Sequence, residues 1–274
     1  MELNALLASQ FVLPSIPKVL ALLLSELERD EPDLKKISQL VSTDPALTTR
    51  LLQLSNSGFF KLSGKINSVS ESLAILGLDH VRTMAAAAAS GISIKAVPGL
   101  NLQKFWNYSL NVAKLSRSLA GMVRQNQQAA FTCGLIHAVG ELAIHMGMPE
   151  EVAVLNREVP PLDLRRANAE RMSFGFCYAQ VGAGLAAKWK FPQAMVDALD
   201  HQHAPFEHDV YEPLAGLIHL ATWRARAQEA GLSDHALAVT FPGPVGEVLG
   251  IDIDMVLQQD PFDWYQTTSN APLQ

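Results

Sequence analysis

One apolar segment in the middle of the chain carries three side chains that could bind a metal ion. His137, Glu141 and His145 recur at intervals of four residues, so on one continuous helix they would share a face. Imidazole and carboxylate groups are the ligands that catalytic divalent metals use in proteins. His203 could approach from another helix, and the sequence therefore allows a metal site made of His137, Glu141 and His203.

The same spacing also fits an ordinary internal pair. Glu141 would then bond one of the two histidines, and the other would pack in the core or face solvent. A metal site needs several lone pairs directed at one point, whereas a pair needs one neighbour a helical turn away. We favour the pair and expect no cofactor, with a divalent metal such as manganese or iron as the alternative.

The elements that would position these residues are helical almost throughout the chain. Apolar residues recur with helical spacing, Asp33 and Asp44 are placed to cap helices, and Pro45 follows as a first helical residue. The region from 127 to 148 is predicted to be one helix, and only Val239–Phe241 has weak strand character. The glycines of Gly182-Ala183-Gly184 lie inside a helical pattern, which indicates close helix packing rather than a dinucleotide loop. The predicted fold class is all-α.

Composition narrows the function further. The chain has 274 residues, of which 49% are hydrophobic and 18% charged, so it can bury a sizeable core. A net charge of −6 argues against binding to a nucleic-acid backbone. We interpret the basic residues of Arg165-Arg166, Arg224 and Arg226 as solvated helix faces.

Compartment can also be inferred from the sequence. The two cysteines, Cys133 and Cys177, are far apart and form no CxxC motif, which is typical of free thiols in a reducing cytoplasm. The most apolar stretch is identified as Thr83–Ile94, which is too short for the ~20 residues that a spanning helix needs. We therefore expect a cytoplasmic protein that contacts neither membrane nor nucleic acid.

The segment Val97-Pro98-Gly99 is the predicted boundary between two lobes. Residues 1–97 would form a lobe of short helices, 100–230 a lobe of longer helices, and 231–274 a C-terminal extension with a polar tail. Aromatic residues mark two candidate docking surfaces, the pair Phe59-Phe60 and the tail residues Phe262, Trp264 and Tyr265.

A series of motifs recurs in a recognisable order along the chain. These are Leu13-Pro14-Ser15-Ile16-Pro17, Ser42-Thr43-Asp44-Pro45-Ala46-Leu47-Thr48, Leu52-Gln53-Leu54-Ser55-Asn56-Ser57, Ser72-Leu73-Ala74-Ile75-Leu76-Gly77, Phe105-Trp106-Asn107-Tyr108-Ser109, Gly134-Leu135-Ile136-His137-Ala138-Val139-Gly140 and Tyr178-Ala179-Gln180-Val181-Gly182. The series resembles the HDOD domain, a bacterial signalling relative of the HD phosphohydrolases, over about 11–223. The resemblance implies a short-helix lobe packed on an HD-like helical lobe. It also implies a regulatory or interaction module, often without enzyme activity.

The resemblance further implies where the metal ligands of an HD phosphohydrolase would fall. The first-helix histidine falls on Tyr108, and the name-giving histidine is kept as His137. The remaining positions fall on Ala138 for the aspartate of the pair, Tyr178 and Gln202 for histidines, His203 for a retained histidine, and Thr222 for the closing aspartate.

These replacements remove most of the lone pairs that a catalytic metal needs. Among the positions of a single-metal site, Tyr108, His137, Ala138 and Thr222, only His137 could bind a metal well. We therefore predict a non-catalytic signalling module that binds a protein partner, or a nucleotide-like ligand in a relict pocket formed by the seven matched residues. The alternatives are a divalent-metal phosphohydrolase with altered ligands and a partner-binding scaffold with no pocket.

Overall fold

The computed structural model describes residues 1–9, 12–60, 64–90, 96–207 and 210–260, and within these ranges the chain forms helices and no strand. The predicted all-α fold is confirmed. The helices are α1 (Leu3–Ala8), α2 (Pro17–Leu27), α3 (Leu34–Val41), α4 (Pro45–Ser55), α5 (Val69–Ser90), α6 (Leu102–Met122), α7 (Gln127–Ile136), α8 (Val139–Gly147), α9 (Pro149–Glu158), α10 (Arg166–Phe174), α11 (Tyr178–Lys188), α12 (Gln193–His201), α13 (Pro213–Glu229), α14 (Asp234–Thr240), α15 (Gly243–Leu249) and α16 (Ile253–Leu257).

The helix signals of the first hundred residues act as predicted. The Asp44 carboxylate accepts hydrogen bonds from the backbone N–H groups of Ala46 and Leu47, at 2.8 and 3.0 Å, and so caps α4 ahead of Pro45. The same carboxylate accepts the Ile16 N–H at 2.6 Å, which ties the start of α2 to the start of α4. These contacts fix the start of α4 relative to the start of α2.

Two apolar cores support the predicted site. Helices α2–α5 bury a cluster of their own, while α6, α7, α12 and α13 form the largest cluster. Leu13, Ala46 and Leu52 contribute to that largest cluster from the first part of the chain, so the short helices are anchored on the longer ones. The lobe boundaries predicted near residues 97 and 230 stay a prediction.

Two local predictions were wrong. The helix expected over 127–148 is interrupted at His137 and Ala138, so α7 and α8 are separate helices. Val239 and Thr240 lie in α14 rather than in a strand, because Ser233 caps this helix by accepting the Ala236 N–H.

The most apolar long segment also differs from the one expected. Among the described residues, one segment, Gln127–Gly147, is apolar and long enough to cross a membrane by length and composition alone. Of its most apolar window, 89% is buried inside the fold, and the helix break divides it. Core helices commonly have such a composition, and residues 91–94 of the Thr83–Ile94 stretch lie outside the described residues.

The arginines were misjudged as well. Arg165 is exposed as expected, but Arg166, Arg224 and Arg226 are buried, with relative exposures of 0%, 6% and 4%. A buried guanidinium needs partners for its charge and its N–H groups. Arg166 finds two carboxylates, and Arg224 finds Asp260. Arg226 lies at the predicted site.

Candidate functional site

Three helices bring Tyr108, His137 and Arg226 into direct contact. His137 caps the end of α7 and is fully buried. Its Nδ1 donates to the Gly134 carbonyl at 2.7 Å, so its Nε2 carries the lone pair and accepts the Tyr108 hydroxyl at 3.0 Å. Burial, followed by the nearby Arg226 charge, lowers the pKa of His137 to about 3 despite the Gly134 bond. The imidazole is therefore neutral at physiological pH.

Arg226, on α13, is held between two phenol rings. Its Nε donates to the Tyr108 hydroxyl at 3.0 Å, and its Nη1 donates to the Asp163 carbonyl. The guanidinium carbon lies 5.6 Å from the centre of the Tyr108 ring and 5.2 Å from that of Tyr178, within the range of cation–π attraction. A permanent positive charge thus occupies the centre of the site.

These contacts do not fit a catalytic divalent metal. The Nε2 lone pair of His137, which a metal would need, already accepts the Tyr108 hydroxyl, and Arg226 donates to that same hydroxyl. Ala138 has no lone pair to offer, and burial raises the pKa of the Tyr108 phenol, so it does not supply a phenolate. In the described ranges, no three His, Cys, Asp or Glu side chains are grouped closely enough to hold an ion.

Beside Arg226 the structure has a cavity of about 240 Å³, which we call the Arg226 cavity. It brings together four of the seven predicted pocket residues, Tyr178, Gln202, His203 and Thr222. Tyr108 and His137 connect to it only through Arg226, and Ala138 does not line it. The remaining lining residues are Leu164, Ala167, His219, Trp223, Thr240 and Pro242.

Hydrogen bonds to backbone carbonyls and to the Asn168 side chain position the polar groups of the cavity. The amide nitrogen of Gln202 donates to the carbonyls of His137 and Leu199, at 3.0 and 2.8 Å. His219 Nδ1 lies 2.8 Å from the Gln202 carbonyl, and His203 Nε2 lies 2.8 Å from Asn168 Oδ1.

Both histidines of the cavity are held neutral by their surroundings. Burial comes first, and the positive charges of Arg171 and Arg226 add to it, so the pKa of His203 is lowered to about 4. Burial also lowers the pKa of His219, partly offset by its bond to the Gln202 carbonyl. The cavity therefore combines one permanent cation with two uncharged imidazoles.

The predicted metal set of His137, Glu141 and His203 has separate partners. Glu141 lies on α8, beyond the helix break, and its Oε1 accepts Arg166 Nε at 2.9 Å and lies 3.2 Å from His145 Nε2. Glu141 therefore forms the internal pair that we favoured, while His137 bonds Tyr108. The i, i+4 argument for a shared face fails because the chain turns at His137 and Ala138.

Sequence reasoning missed two residues of this site, Arg226 and His219. Both could have been found from the position matched to the closing aspartate. Arg226 follows Thr222 by four residues and His219 precedes it by three, so all three share one face of α13.

The described residues form an all-α fold in which Tyr108, His137 and Arg226 are in contact. Residues 13–205 match the family model of the HDOD domain, and the chain belongs to this family.

The chain is also similar to individual proteins. The response regulator MmoQ from Methylococcus capsulatus is 25% identical, with a TM-score of 0.71 and coverage of 90% of this chain and 97% of that one. A protein from Shewanella amazonensis, provisionally named a phosphohydrolase, is 29% identical, with a TM-score of 0.52 and 90% of both chains covered. A protein of unknown function from Treponema pallidum is 25% identical over 222 residues, which cover 78% of this chain and 42% of that protein. The chain spans less than half the length of the curated relatives it matches.

Proposed function

We propose that this HDOD protein is a non-catalytic signalling module, which acts in the cytoplasm by binding a protein partner or a small ligand. The observation that carries the proposal is the contact of Tyr108 with both His137 and Arg226. A phosphohydrolase of this class needs a cation that activates water and polarises a phosphoryl oxygen. Here a guanidinium stands at the centre, and it has no open coordination position for water.

Two further observations support a regulatory role. The chain belongs to the HDOD family, and the structurally similar MmoQ is named a response regulator. The buried carboxylates Glu141 and Glu170 are both paired with Arg166, and neither is hydrogen-bonded to His137 or Tyr108.

The test is metal content and hydrolysis measured on the same purified chain. Protein prepared without chelator, and again after incubation with manganese or with iron under nitrogen, is measured by mass spectrometry and assayed with bis(p-nitrophenyl) phosphate. We expect neither stoichiometric metal nor turnover. His235, an exposed histidine on α14, supplies the matched control His235→Ala.

A metal-containing, active protein would contradict the proposal. Near-stoichiometric metal that is lost in His137→Ala, retained in His235→Ala and accompanied by turnover would overturn the proposal. It would establish the second candidate, a divalent-metal phosphohydrolase with altered ligands, which the provisional name of the Shewanella amazonensis neighbour favours.

A further inference from the structure

Among the described residues, Arg226 differs from the other buried arginines because it forms no ion pair. Arg166 pairs with Glu141 and Glu170, and Arg224 pairs with Asp260. Within the described ranges, no carboxylate lies within ion-pairing distance of Arg226, although this side chain is only 4% exposed. Buried charges are ordinarily paired, because an unpaired one loses its hydration without compensation.

The unpaired charge faces the Arg226 cavity. The guanidinium uses Nε for Tyr108 and Nη1 for Asp163, while Nη2 has no hydrogen bond to any residue that the structure describes. Arg226 lines the cavity, and its lining residues include no acidic side chain. A full positive charge therefore borders a cavity whose described lining residues carry no negative charge.

A second group in the cavity wall also lacks a partner. Gln202 is 2% exposed, and both hydrogen bonds of its amide nitrogen go to backbone carbonyls. These bonds fix the orientation of the amide, and Oε1 is left buried without a hydrogen-bond donor among the described residues. A buried acceptor of this kind is costly unless a ligand or water supplies the donor.

We propose that the Arg226 cavity binds a small molecule through an oxyanion, either a phosphate or a carboxylate, that pairs with Arg226. A hydrogen-bond donor of the same molecule meets Gln202 Oε1, and the rings of Tyr178 and Trp223 flank it. About 240 Å³ is at the small end for a ligand site, so the cavity takes the charged head while the rest of the molecule extends outward. The inference rests on the proposed function, since it assigns the ligand class of the same altered centre.

The direct test is a titration of the full chain with inorganic phosphate and, separately, with acetate, at constant ionic strength. Binding is followed by the NMR signals of the His203 and His219 imidazoles, which lie in the cavity wall. We expect saturable shifts of both signals, and the tighter of the two anions identifies the head group. Arg226→Met should weaken binding by about tenfold or more, because the charged hydrogen bonds are lost. Arg157→Met, at an exposed arginine of α9, is the matched control and should bind as the parent does.

A second pair of variants tests the same idea without changing the buried centre. Thr240 lines the cavity yet is exposed, so a new side chain there can be accommodated. Thr240→Glu places a carboxylate where it competes for Arg226, and binding should fall by about tenfold or more. Thr240→Gln has the same size without the charge and loses the same hydrogen bond from Trp223 Nε1, so the affinity of Thr240→Glu is compared with that of Thr240→Gln.

The outcomes separate this inference from the proposed function. If neither anion binds saturably, or if binding persists unchanged in both Arg226→Met and Thr240→Glu, the inference is wrong. The non-catalytic module would then still stand, provided that the chain holds no metal and shows no turnover. Metal content with turnover would overturn the proposed function even if phosphate also bound.

Discussion

At the scale of single residues, Tyr108 links two buried side chains through one hydroxyl group. Its hydroxyl donates to His137 and accepts from Arg226, both in the core. Tyr108→Phe leaves a buried imidazole nitrogen and a guanidinium N–H without partners, so we expect a loss of about 1–3 kcal/mol in the free energy of unfolding. Urea unfolding measures it. Tyr211 is the control, because its buried hydroxyl has no hydrogen-bond partner in the described structure. Tyr211→Phe should be neutral, and equal losses in the two variants would refute the role given to Tyr108.

The second residue-scale prediction concerns Arg166, which bonds Glu141 and Glu170 with no exposed surface. Burial, together with the charge of Glu141, raises the pKa of Glu170 well above its usual value, so the arginine is shared by two closely coupled carboxyl groups. Arg166→Met would leave them buried without a cation and should cost about 3–5 kcal/mol. Chemical denaturation gives the value, and Arg165→Met, at the exposed neighbour, should change stability by less than about 0.5 kcal/mol. Similar costs for both arginines would contradict the buried network.

Residue types alone could not reveal that three of the four singled-out arginines are buried. A net charge of −6 and isolated basic residues favour solvated faces on average. An arginine can be buried only where other groups bond its guanidinium. For Arg226 these groups are the Asp163 carbonyl, the Tyr108 hydroxyl and the Tyr178 ring, all of them distant in sequence. In contrast, the loss of lone pairs at Ala138 and Tyr108 was visible in the sequence, because it depends only on residue identity at matched positions.

At the scale of elements, the close approach of α8 and α11 makes a testable contrast between two glycines. A Cβ on Gly140 would overlap the carbonyl oxygen of Tyr178 and come within 2.7 Å of the Gly182 nitrogen. Backbone atoms cannot move aside cheaply, so Gly140→Ala should destabilise the protein by about 1–3 kcal/mol or more. A Cβ on Gly182 would lie 3.7 Å from its nearest neighbour, an ordinary contact.

Gly182→Ala is therefore the control, and it should be neutral or slightly stabilising, because alanine favours a helix over glycine by about 1 kcal/mol. Thermal unfolding of the two variants side by side measures the contrast. If both glycines tolerate alanine, the two helices are farther apart than the structure places them. The close packing predicted for the Gly182-Ala183-Gly184 segment is confirmed at Gly184 too, where a Cβ would come within 2.6 Å of Leu7.

Helix ends were predicted correctly where they depend on neighbouring residues. The helix break that depends on contacts between distant parts of the chain was not predicted. The caps at Asp33 and Asp44 need only neighbouring residues, and both were predicted. The break at His137 and Ala138 has no such signal. It serves the packing of Gly140 on Tyr178, a contact that no local pattern encodes. The aromatic tail residues Phe262, Trp264 and Tyr265 lie outside the described residues, and Phe59 is 80% exposed.

At the scale of the whole molecule, the neutral buried histidines make stability depend on pH. The folded pKa values of His137 and His203 are about 3 and about 4, and burial lowers that of His219 as well. In the unfolded chain a histidine takes up a proton near pH 6.5. Because the unfolded state then binds more protons, the stabilisation from these groups is complete above pH 6.5. It is lost as the pH falls from 6.5 toward 4, by up to about 1.4 kcal/mol per pH unit for each histidine.

Urea unfolding at pH 7, 6 and 5 measures this slope, and variants isolate the share of one histidine from that of the carboxyl groups. His203→Gln removes a titrating group from the Arg226 cavity, so the free energy of unfolding should fall less steeply with decreasing pH than in the parent. The difference should approach about 1 kcal/mol per pH unit below pH 6. His235→Gln, on the exposed face of α14, should leave the slope of the parent unchanged. If His203→Gln keeps the full slope, His203 takes up its proton near pH 6.5 in the folded as in the unfolded chain. The Arg226 cavity would then gain a second cation as the pH falls below about 6.5.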